Sequence, residues 1–328
     1  MKRFVAVICL LLSACQAAPE SPKELTVYSG RKEELVGPLF ERFEKETGIK
    51  LKVRYGDTAE MAAQILEEGD NSPADVFFSQ DAGALGAIES KGRFATLPAS
   101  IRSKIPTQFR SGRWIGVSGR ARVAVFNPER VKAVEMPSSI EQFVDAKWRG
   151  RIGWAPTNGS FQSFVTAFRK TRGQDAAKQW LEQMKANNTK AYPKNDAIVQ
   201  AVSTGEIDVG LVNHYYVFEI KRQDPNLKAE NHWFSKPDDV GSLVNVSGVG
   251  ILDTSKNSKT AQRLVKFLLN AKSQRYFAEE TFEYPLVTGV TGPNGLPPLE
   301  DISSLDINLG DLSDLEGTLD LLAEVGLL

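Results

Sequence analysis

Cysteine and histidine are the two scarcest residue types in this sequence, with two of each among 328 residues. Cys9 lies inside an apolar run at the N-terminus, and Cys15 follows that run. If the first 14 residues are removed and Cys15 carries lipid, no cysteine remains for a disulfide, a thiolate metal site or a nucleophile. His214 and His232 are too few for a histidine metal cage, and we expect each to be a polar surface residue.

The N-terminus has the pattern of an export signal. A short basic segment precedes residues 4–12, an apolar run of signal-peptide length that is too short to span a bilayer. The following "LSAC" resembles a bacterial lipobox. We therefore expect residues 1–14 to be a lipoprotein signal peptide, Cys15 to be lipidated, and residues 15–24 to form a short polar tether. The mature chain would then lie on the periplasmic side of the cell envelope, held on a membrane by lipid alone.

The chain also lacks an excess of basic charge. Loss of Lys2 and Arg3 with the signal leaves 38 basic residues against 41 acidic ones, a net charge near −3. That balance offers no basic field for nucleic acid, which we exclude as a partner. About 300 residues remain, enough for two lobes with cores of their own.

Short apolar runs alternate with helical patterns along the chain. Strands are predicted over residues 25–30, 49–55, 74–79, 207–213 and 242–252. Helices are predicted over residues 31–48, 58–68, 82–92, 161–171, 175–187, 195–204, 257–280 and from Asp311 onward. In the first helix Leu35, Leu39 and Phe43 form an apolar stripe, and Gly48 ends it. The alternation predicts an α/β fold with helices on the faces of a sheet.

Motifs of catalysis are missing. The sequence has no G-x-S-x-G nucleophile elbow, no phosphate loop ending in G-K-[ST], no H-E-x-x-H and no complete dinucleotide fingerprint. We therefore predict that the protein is not an enzyme and has no catalytic residues. In open α/β sheets ligands bind beyond the carboxyl ends of strands, where "SGRK", "SQD", "NGS" and "NHYY" lie here.

Two of these segments suggest specific binding chemistry. In "PTNGSF", Asn158 or Ser160 can cap a helix, and its free N–H groups would suit an anion; a plain cap explains the segment equally well. Tyr215 and Tyr216 would point to opposite faces of a strand, but only about 100° apart if a helix begins there. Two phenolates suit a hard, highly charged cation, although a bare Tyr-Tyr pair is more often a packing feature.

Longer stretches carry a family resemblance. They are "LTVYSGRKEEL", "FEKETGIK", "GDNSPADVFFSQD", "WIGVSGRARVAVFNPE", "WRGRIGWAPTNGSF", "YPKNDAIVQAVSTGEID", "LVNHYYVFE", "GSLVNVSGVGIL" and "EYPLV". In this order they resemble the ferric-iron-binding periplasmic proteins, the substrate-binding components of bacterial iron(III) importers. The resemblance begins near Leu25 and continues to the end. It implies a two-lobed periplasmic-binding-protein fold of the class II type, with two crossing hinge strands and an interlobe cleft.

The resemblance also implies a site. The adjacent phenolate ligands of the family correspond to Tyr215 and Tyr216. A synergistic anion would be held by residues matching the family's anion loop, its asparagines and an arginine near the anion. These are Asn158, Gly159, Ser160, Asn195, Asn213, and Arg120 or Arg122.

Two family ligands are replaced here. Lys32 stands where one branch has a histidine ligand, and Gln80 where it has a glutamate; Phe161 takes the place of a further tyrosine found in another branch. Iron(III) with two phenolates keeps one net positive charge. Gln80 can add only a neutral oxygen, and Arg31 and Lys32 add positive charge if they face the cleft. We therefore expect an exogenous anion, carbonate, phosphate or citrate, to complete the site.

The leading hypothesis is a lipid-anchored, monomeric solute-binding protein that delivers iron(III) with its anion to an ABC permease. The first alternative is metal-independent binding of a phosphonate or a phosphorylated compound. A secreted hydrolase and a sensor domain are further alternatives. From the family fold we expect the first lobe to comprise residues 25–120 and 246–296, and the second 121–245 and 297–328.

Overall fold

The computed structural model describes residues 24–302 and 305–328. The predicted signal peptide, the lipidation site Cys15 and nearly all of the predicted tether lie outside the described residues. The strands are β1 Glu24–Ser29, β2 Lys50–Tyr55, β3 Val76–Ser79, β4 Trp114–Phe126, β5 Ile152–Trp154, β6 Lys190–Ala191, β7 Val209–Asn213, β8 Glu230–His232, β9 Val244–Ile251 and β10 Tyr284–Pro285. The helices are α1 Glu33–Thr47, α2 Thr58–Glu68, α3 Ala82–Ser90, α4 Ala99–Arg102, α5 Gly159–Arg172, α6 Gln174–Ala186, α7 Asn195–Thr204, α8 Tyr215–Gln223, α9 Ser258–Leu268, α10 Ala271–Glu280 and α11 Leu315–Glu324.

The first β-α-β unit shows how sequence pattern sets the fold. Helix α1 buries Leu39 and Phe43 completely, while Leu35 is only partly buried at the edge of the stripe. The helix ends at Gly48, whose left-handed φ of 72° suits glycine, and the Gly48 N–H donates to Glu44 O. Strands β1 and β2 then pair in parallel, which the intervening helix makes possible by returning the chain to the same end of the sheet.

One long strand connects two halves of the sheet. The strand order is β2-β1-β3-β9-β4-β7-β5-β6, and β4 is buried along its whole length. From Trp114 to Ala121 it pairs with β9, and from Arg122 to Phe126 it pairs with β7. We call the β9 side, with β1, β2, β3 and β10, the first half, and the β7 side, with β5, β6 and β8, the second half. The change of partner at Ala121 and Arg122 places the junction of the halves in mid-strand.

The helix predicted over residues 257–280 is wrong in one respect, because the structure has two helices there. Helix α9 ends at Leu268 and α10 begins at Ala271. The Asn270 side chain accepts a hydrogen bond from the Ser273 N–H at 2.8 Å. An asparagine that caps the next helix in this way offers the backbone an alternative to continuing the first one.

The C-terminal segment contacts both halves. A Cβ on Gly83 of α3 would lie 2.8 Å from Leu312 O, and Thr318 of α11 hydrogen bonds Thr166 of α5 at 2.7 Å between their Oγ1 atoms. Arg169 of α5 also pairs with Asp314 at 2.9 Å. The segment therefore bridges α3 and α5. In the described ranges, no helix has both the length and the apolar character to cross a membrane.

Candidate metal and anion site

The tyrosine pair lies where β7 gives way to α8. Asn213 ends the strand, His214 already has helical φ and ψ of −57° and −35°, and α8 begins at Tyr215. The sequence left two alternatives open here, a continuing strand or a helix start, and the structure has the helix start. Because neighbours on a helix are not opposed, the two rings stack, with centroids 4.4 Å apart and an interplanar angle of 27°.

Both phenols are nearly removed from solvent. Tyr215 is 1% and Tyr216 is 7% exposed, in an apolar cluster that includes Val123, Ile198 and Val202. Burial, and then the neighbouring Tyr215 hydroxyl, raise the pKa of Tyr216 well above its ordinary value, although a hydrogen bond from Asn195 opposes the shift. The Tyr216 phenol is thus neutral at pH 7 unless a strong positive charge reaches it.

His214 is a structural residue. The expectation that it lies on the surface is wrong, because the ring is fully buried. Its Nε2 lies 2.8 Å from Phe282 O and its Nδ1 lies 3.1 Å from the Ala121 nitrogen, so a neutral ring donates to the first and accepts from the second. Burial lowers the pKa of His214 to about 4. His232 is half-buried, with Nε2 2.7 Å from Pro137 O. Neither histidine has the free, exposed imidazole that the sequence suggested.

The predicted anion loop forms the first turn of α5. Asn158 Oδ1 accepts hydrogen bonds from Ser160 N at 3.0 Å and Ser160 Oγ at 2.6 Å. Asn195, the first residue of α7, donates from Nδ2 to Asn158 Oδ1 and to Ser160 Oγ, both at 3.3 Å. Asn195 is also close enough to Tyr216 to lower the pKa of its phenol, so the loop adjoins the tyrosines. The helix cap and the anion hypothesis both fit this turn.

Two parallel strands of the first half end in the same serine turn. Ser29 Oγ donates to Arg31 O at 3.0 Å and accepts from Arg31 N at 3.2 Å. Ser79 Oγ repeats this pattern with Asp81, at 2.7 Å and 3.1 Å. The turns after β1 and β3 thus place side chains of opposite charge at the carboxyl edge of the sheet, as the strand-end rule predicts.

Arg31 is a buried cation that faces the phenols. Its Nη2 lies 2.8 Å from Glu283 Oε1, and both side chains are fully buried. Burial alone would lower the pKa of Arg31, but Glu283, Tyr215, Glu219 and Tyr216 raise it overall. The guanidinium therefore stays charged, paired with Glu283 and under the influence of the phenols and Glu219.

Arg120 adds a second buried guanidinium. Its Nε lies 3.9 Å from Glu283 Oε1, and its three nitrogens make no hydrogen bond to any of the described residues. Glu283 Oε2 is held instead by Ser118 Oγ at 2.9 Å and Thr281 Oγ1 at 3.3 Å. The unused donors of Arg120 are consistent with the predicted role beside an anion.

Asp81 reaches from the first half to the start of α5. Its Oδ1 caps α3 by accepting from Ala84 N at 3.0 Å, and its Oδ2 lies 3.4 Å from where a Cβ on Gly159 would be. Burial raises the pKa of Asp81, while hydrogen bonds from Ala84 and Ser163 and the charge of Arg120 act in the other direction. A carboxylate of the protein thus lies at the predicted anion loop.

Three of the predicted site residues, Lys32, Gln80 and Arg122, have partners outside the anion loop. Lys32 Nζ is 3.9 Å from Asp196 Oδ2, and both side chains are about half exposed. Gln80 is half-buried and donates from its backbone N–H to Thr58 Oγ1 at 3.2 Å. The Arg122 guanidinium lies 4.9 Å from the Phe164 ring centroid and 5.3 Å from that of Phe161.

Arg122 is therefore held mainly by aromatic contacts. Its Nη2 donates to Leu211 O at 3.3 Å, and burial lowers the pKa of Arg122 to about 9. Asn213 pairs with it across β4 and β7 and is itself buried. Phe161 is fully buried and packs against Trp154, Phe164 and the Arg122 guanidinium.

Sequence reasoning missed three carboxylates at the site, Asp81, Glu219 and Glu283. Each lies inside a stretch that carries the family resemblance, as the last residue of "GDNSPADVFFSQD" and of "LVNHYYVFE" and the first of "EYPLV". For Glu219 helical spacing was the available signal, because residues three and four apart share a face. Burial, and then repulsion by Glu283, raise the pKa of Glu219 to about 7.

The donor set is unusual for a metal site. Within residues 24–302 and 305–328, no group of three or more His, Cys, Asp and Glu side chains could hold a metal ion. A metal at this cleft therefore needs the phenols. Oxygen donors of this kind suit a hard cation.

The chain is similar to known proteins in both sequence and fold. Residues 71–305 match the family model of bacterial extracellular solute-binding proteins. The chain is 34% identical to the major ferric iron-binding protein of Neisseria meningitidis serogroup B, over 97% of each chain. It also resembles the crystal structure of iron-bound HitA from Pseudomonas aeruginosa, with a TM-score of 0.88, 33% identity, and coverage of 93% of this chain and 100% of that one. The Trichodesmium protein IdiA (FutA), in complex with iron and citrate, aligns with a TM-score of 0.81 and 29% identity, over 93% of this chain and 100% of that one.

Proposed function

This chain belongs to the bacterial extracellular solute-binding protein family, among the ferric-iron-binding periplasmic proteins, and from that premise we propose that it captures iron(III) together with a small anion. It is a two-lobed solute-binding protein and not an enzyme. The observation that supports the proposal best is the stacked, buried pair Tyr215 and Tyr216 at the first turn of α8.

The energetics of the pair favour a trivalent cation. A phenol with its ordinary pKa of about 10 costs about 4 kcal/mol to ionise at pH 7, and burial increases the cost for Tyr216. The N-terminus of α8 offsets part of it, because helix dipoles favour negative charge there. Arg31 contributes further in the same direction. The remainder must come from the bound metal, so a weakly charged cation would leave the phenols protonated.

The anion site adjoins the phenols. The first turns of α5 and α7 bring Asn158, Ser160 and Asn195 together, and Asn195 contacts Tyr216. With Gln80 neutral, two phenolates leave an iron(III) centre with one net positive charge. We propose that carbonate, phosphate or citrate, held at this loop and near Arg120, completes the centre. Citrate is the anion in the Trichodesmium structure.

The route of the cargo follows from the family. We propose that the protein acts as a monomer that closes over iron and delivers it to an ABC permease. We place the lobes at residues 25–120 with 246–296 and at 121–245 with 297–328, which the change of partner along β4 supports. The C-terminal segment contacts α3 as well as α5, so it bridges the two proposed lobes.

Iron titration tests the function. Mature metal-free protein is titrated with iron(III), with and without carbonate, phosphate or citrate, beside a Tyr215→Phe/Tyr216→Phe double variant. We expect a visible phenolate-to-iron charge-transfer band in the wild type that needs an anion and disappears in the variant. Absence of the band with every anion, together with chelator-insensitive binding of a phosphonate, would replace the proposal with metal-free anion transport.

Anchoring is tested separately. We propose that Cys15 is lipidated and holds the mature chain on the periplasmic side of a membrane. Full-length protein and a Cys15→Ser variant are expressed and separated into membrane and soluble fractions. The wild type is expected in the membrane fraction and the variant in the soluble fraction or as uncleaved precursor. Equal partitioning of both proteins would contradict the lipid anchor.

A further inference from the structure

The second-half wall of the cleft presents a third acidic group beside the tyrosines. Glu219 follows Tyr215 by four residues and Tyr216 by three, all within α8. Side chains at these spacings are neighbours on one helix face, with Cβ atoms about 5–6 Å apart. The positive charges of Arg31 and Lys32, on the opposite wall, also act to lower the pKa of the Glu219 carboxylate. It therefore faces the same space as the phenols.

No contact among the described residues gives Glu219 a structural role. Its Oε1 is buried, and no hydrogen-bond donor within those residues reaches it. A buried carboxylate oxygen without a hydrogen-bond donor lowers the stability of the folded protein. Another interaction must therefore offset that cost. A bound cation is the partner that a carboxylate oxygen lacks here.

The other carboxylates of the cleft are engaged. Glu283 Oε1 forms an ion pair with Arg31 Nη2 at 2.8 Å, without hydrogen-bond geometry, and Glu283 Oε2 accepts from Ser118 and Thr281. Asp81 caps α3. Asp196 is about half exposed and pairs with Lys32, so solvent screens its charge. Glu219 is the carboxylate that combines a free buried oxygen with the helix face of the phenols.

We infer that Glu219 is a third anionic ligand of the bound iron(III), given the proposed function, and that it replaces from α8 the carboxylate that Gln80 no longer supplies from the first half. Two phenolates and one carboxylate balance the trivalent charge. The exogenous anion is then still required, but it fills open coordination positions and no longer has to balance the charge. The three protein donors come from one stretch of five residues, so the second half alone can hold the metal before the cleft closes.

The test compares Glu219→Gln with wild type and with Glu230→Gln, an exposed control on β8. Each metal-free protein is titrated with iron(III) against a competing chelator at a series of carbonate concentrations, and the visible spectrum is recorded. Folding of each variant is checked by urea denaturation. A Glu219→Asp variant keeps the charge on a shorter side chain and serves as a test of rescue.

We expect Glu219→Gln to bind iron at least about 30-fold more weakly, as removal of one partner of a buried charge pair does, and to need more carbonate for half-maximal binding. Its charge-transfer band should move to longer wavelength, because iron that lacks one anionic ligand accepts phenolate electrons more readily. Glu219→Asp should recover part of both changes, and Glu230→Gln should match wild type.

Two results would overturn the assignment. Glu219→Gln that matches wild type in affinity and band position would show that the carboxylate is not a ligand. Weaker binding with an unmoved band would show that Glu219 acts only by positioning Arg31. Both differ from failure of the proposed function, in which the wild type itself shows no charge-transfer band.

Discussion

The two walls of the cleft differ in what they present to a ligand. The second-half wall is made of the N-termini of α5, α7 and α8, which carry the amide loop, Asn195 and the two phenols. The first-half wall is made of the turns after β1 and β3, which carry Arg31, Gln80 and Asp81. Three converging helix N-termini create a field that favours negative charge.

This difference assigns separate tasks to the walls. Anionic oxygens are favoured on the second-half wall, where the helix ends stabilise them, and under the proposed function those oxygens bind the metal. The carboxylates of the first-half wall are less available to a metal, because they pair with Arg31 and Arg120 or cap α3. Under the proposed function this wall contributes positive charge opposite the anionic oxygens, and it covers the bound metal when the cleft closes. Substitutions on the two walls should therefore change different properties.

The sharpest test of the comparison is iron affinity. Tyr215→Phe or Tyr216→Phe removes one phenolate, and each should weaken iron(III) binding by about 100-fold or more, since a buried charge loses its partner. Gln80→Ala on the opposite wall removes only a half-buried neutral amide and should change affinity by less than about threefold. Chelator competition measures both. Equal losses on the two walls would break the proposed division of tasks.

The first-half wall should affect folding more than binding of the metal. Arg31→Met leaves Glu283 buried without its partner, and we expect a loss of about 3 kcal/mol in the free energy of unfolding. Lys32→Met, the adjacent control, breaks a half-exposed pair and should change stability by less than about 0.5 kcal/mol. Urea denaturation of metal-free protein measures both. A similar effect of the two variants would mean that the Arg31 pair is solvated in solution.

The contribution of His214, which lies beside the tyrosines, to the free energy of unfolding should depend on pH. The pKa of His214 is about 4 in the folded protein and about 6.5 when unfolded, so the unfolded chain binds more protons between these values. Stability from this group is complete above pH 6.5 and is lost as the pH falls towards 4. At pH 5 the loss is about 2 kcal/mol.

Urea denaturation at pH 7.5 and pH 5.0 tests this linkage. His214→Gln should be less stable than wild type at pH 7.5, since Gln cannot fully replace the ring that bridges Ala121 and Phe282. Its additional loss at pH 5.0 should be smaller than that of wild type by about 2 kcal/mol. Parallel losses in the two proteins would mean that His214 does not titrate on unfolding.

The local sequence pattern was sufficient to predict much of this architecture. The strand and helix alternation and the end of α1 at Gly48 follow from periodicity and capping. The helix start at Tyr215 was only one of two open alternatives, and no side chain of the described residues caps α8 there. The break at Asn270 was missed because apolar spacing continues across it, and only the local cap interrupts the helix.

The missed parts of the site depend on contacts between distant residues. Arg31 meets Glu283 across more than 250 positions, and His214 is buried only because β4 and the segment before β10 cover it. No spacing rule within one segment brings such residues together. Glu219 is the exception, because its spacing from the tyrosines was visible in the sequence.

The smallest expected effect concerns Asp81, the one first-half carboxylate at the second-half anion loop. Asp81→Asn preserves the α3 cap, because Asn and Asp cap helices about equally well, but it removes a negative charge beside Gly159. We expect carbonate to support the iron band at about three- to tenfold lower concentration, a Coulomb effect of about 1 kcal/mol that the charge of Arg120 partly screens. Ser90→Ala at the other end of α3 is a control that should leave the carbonate requirement unchanged. If Asp81→Asn instead raises the carbonate requirement, then Asp81 helps to close the cleft more than it repels the anion, and the first-half wall takes part in anion capture as well as in closure.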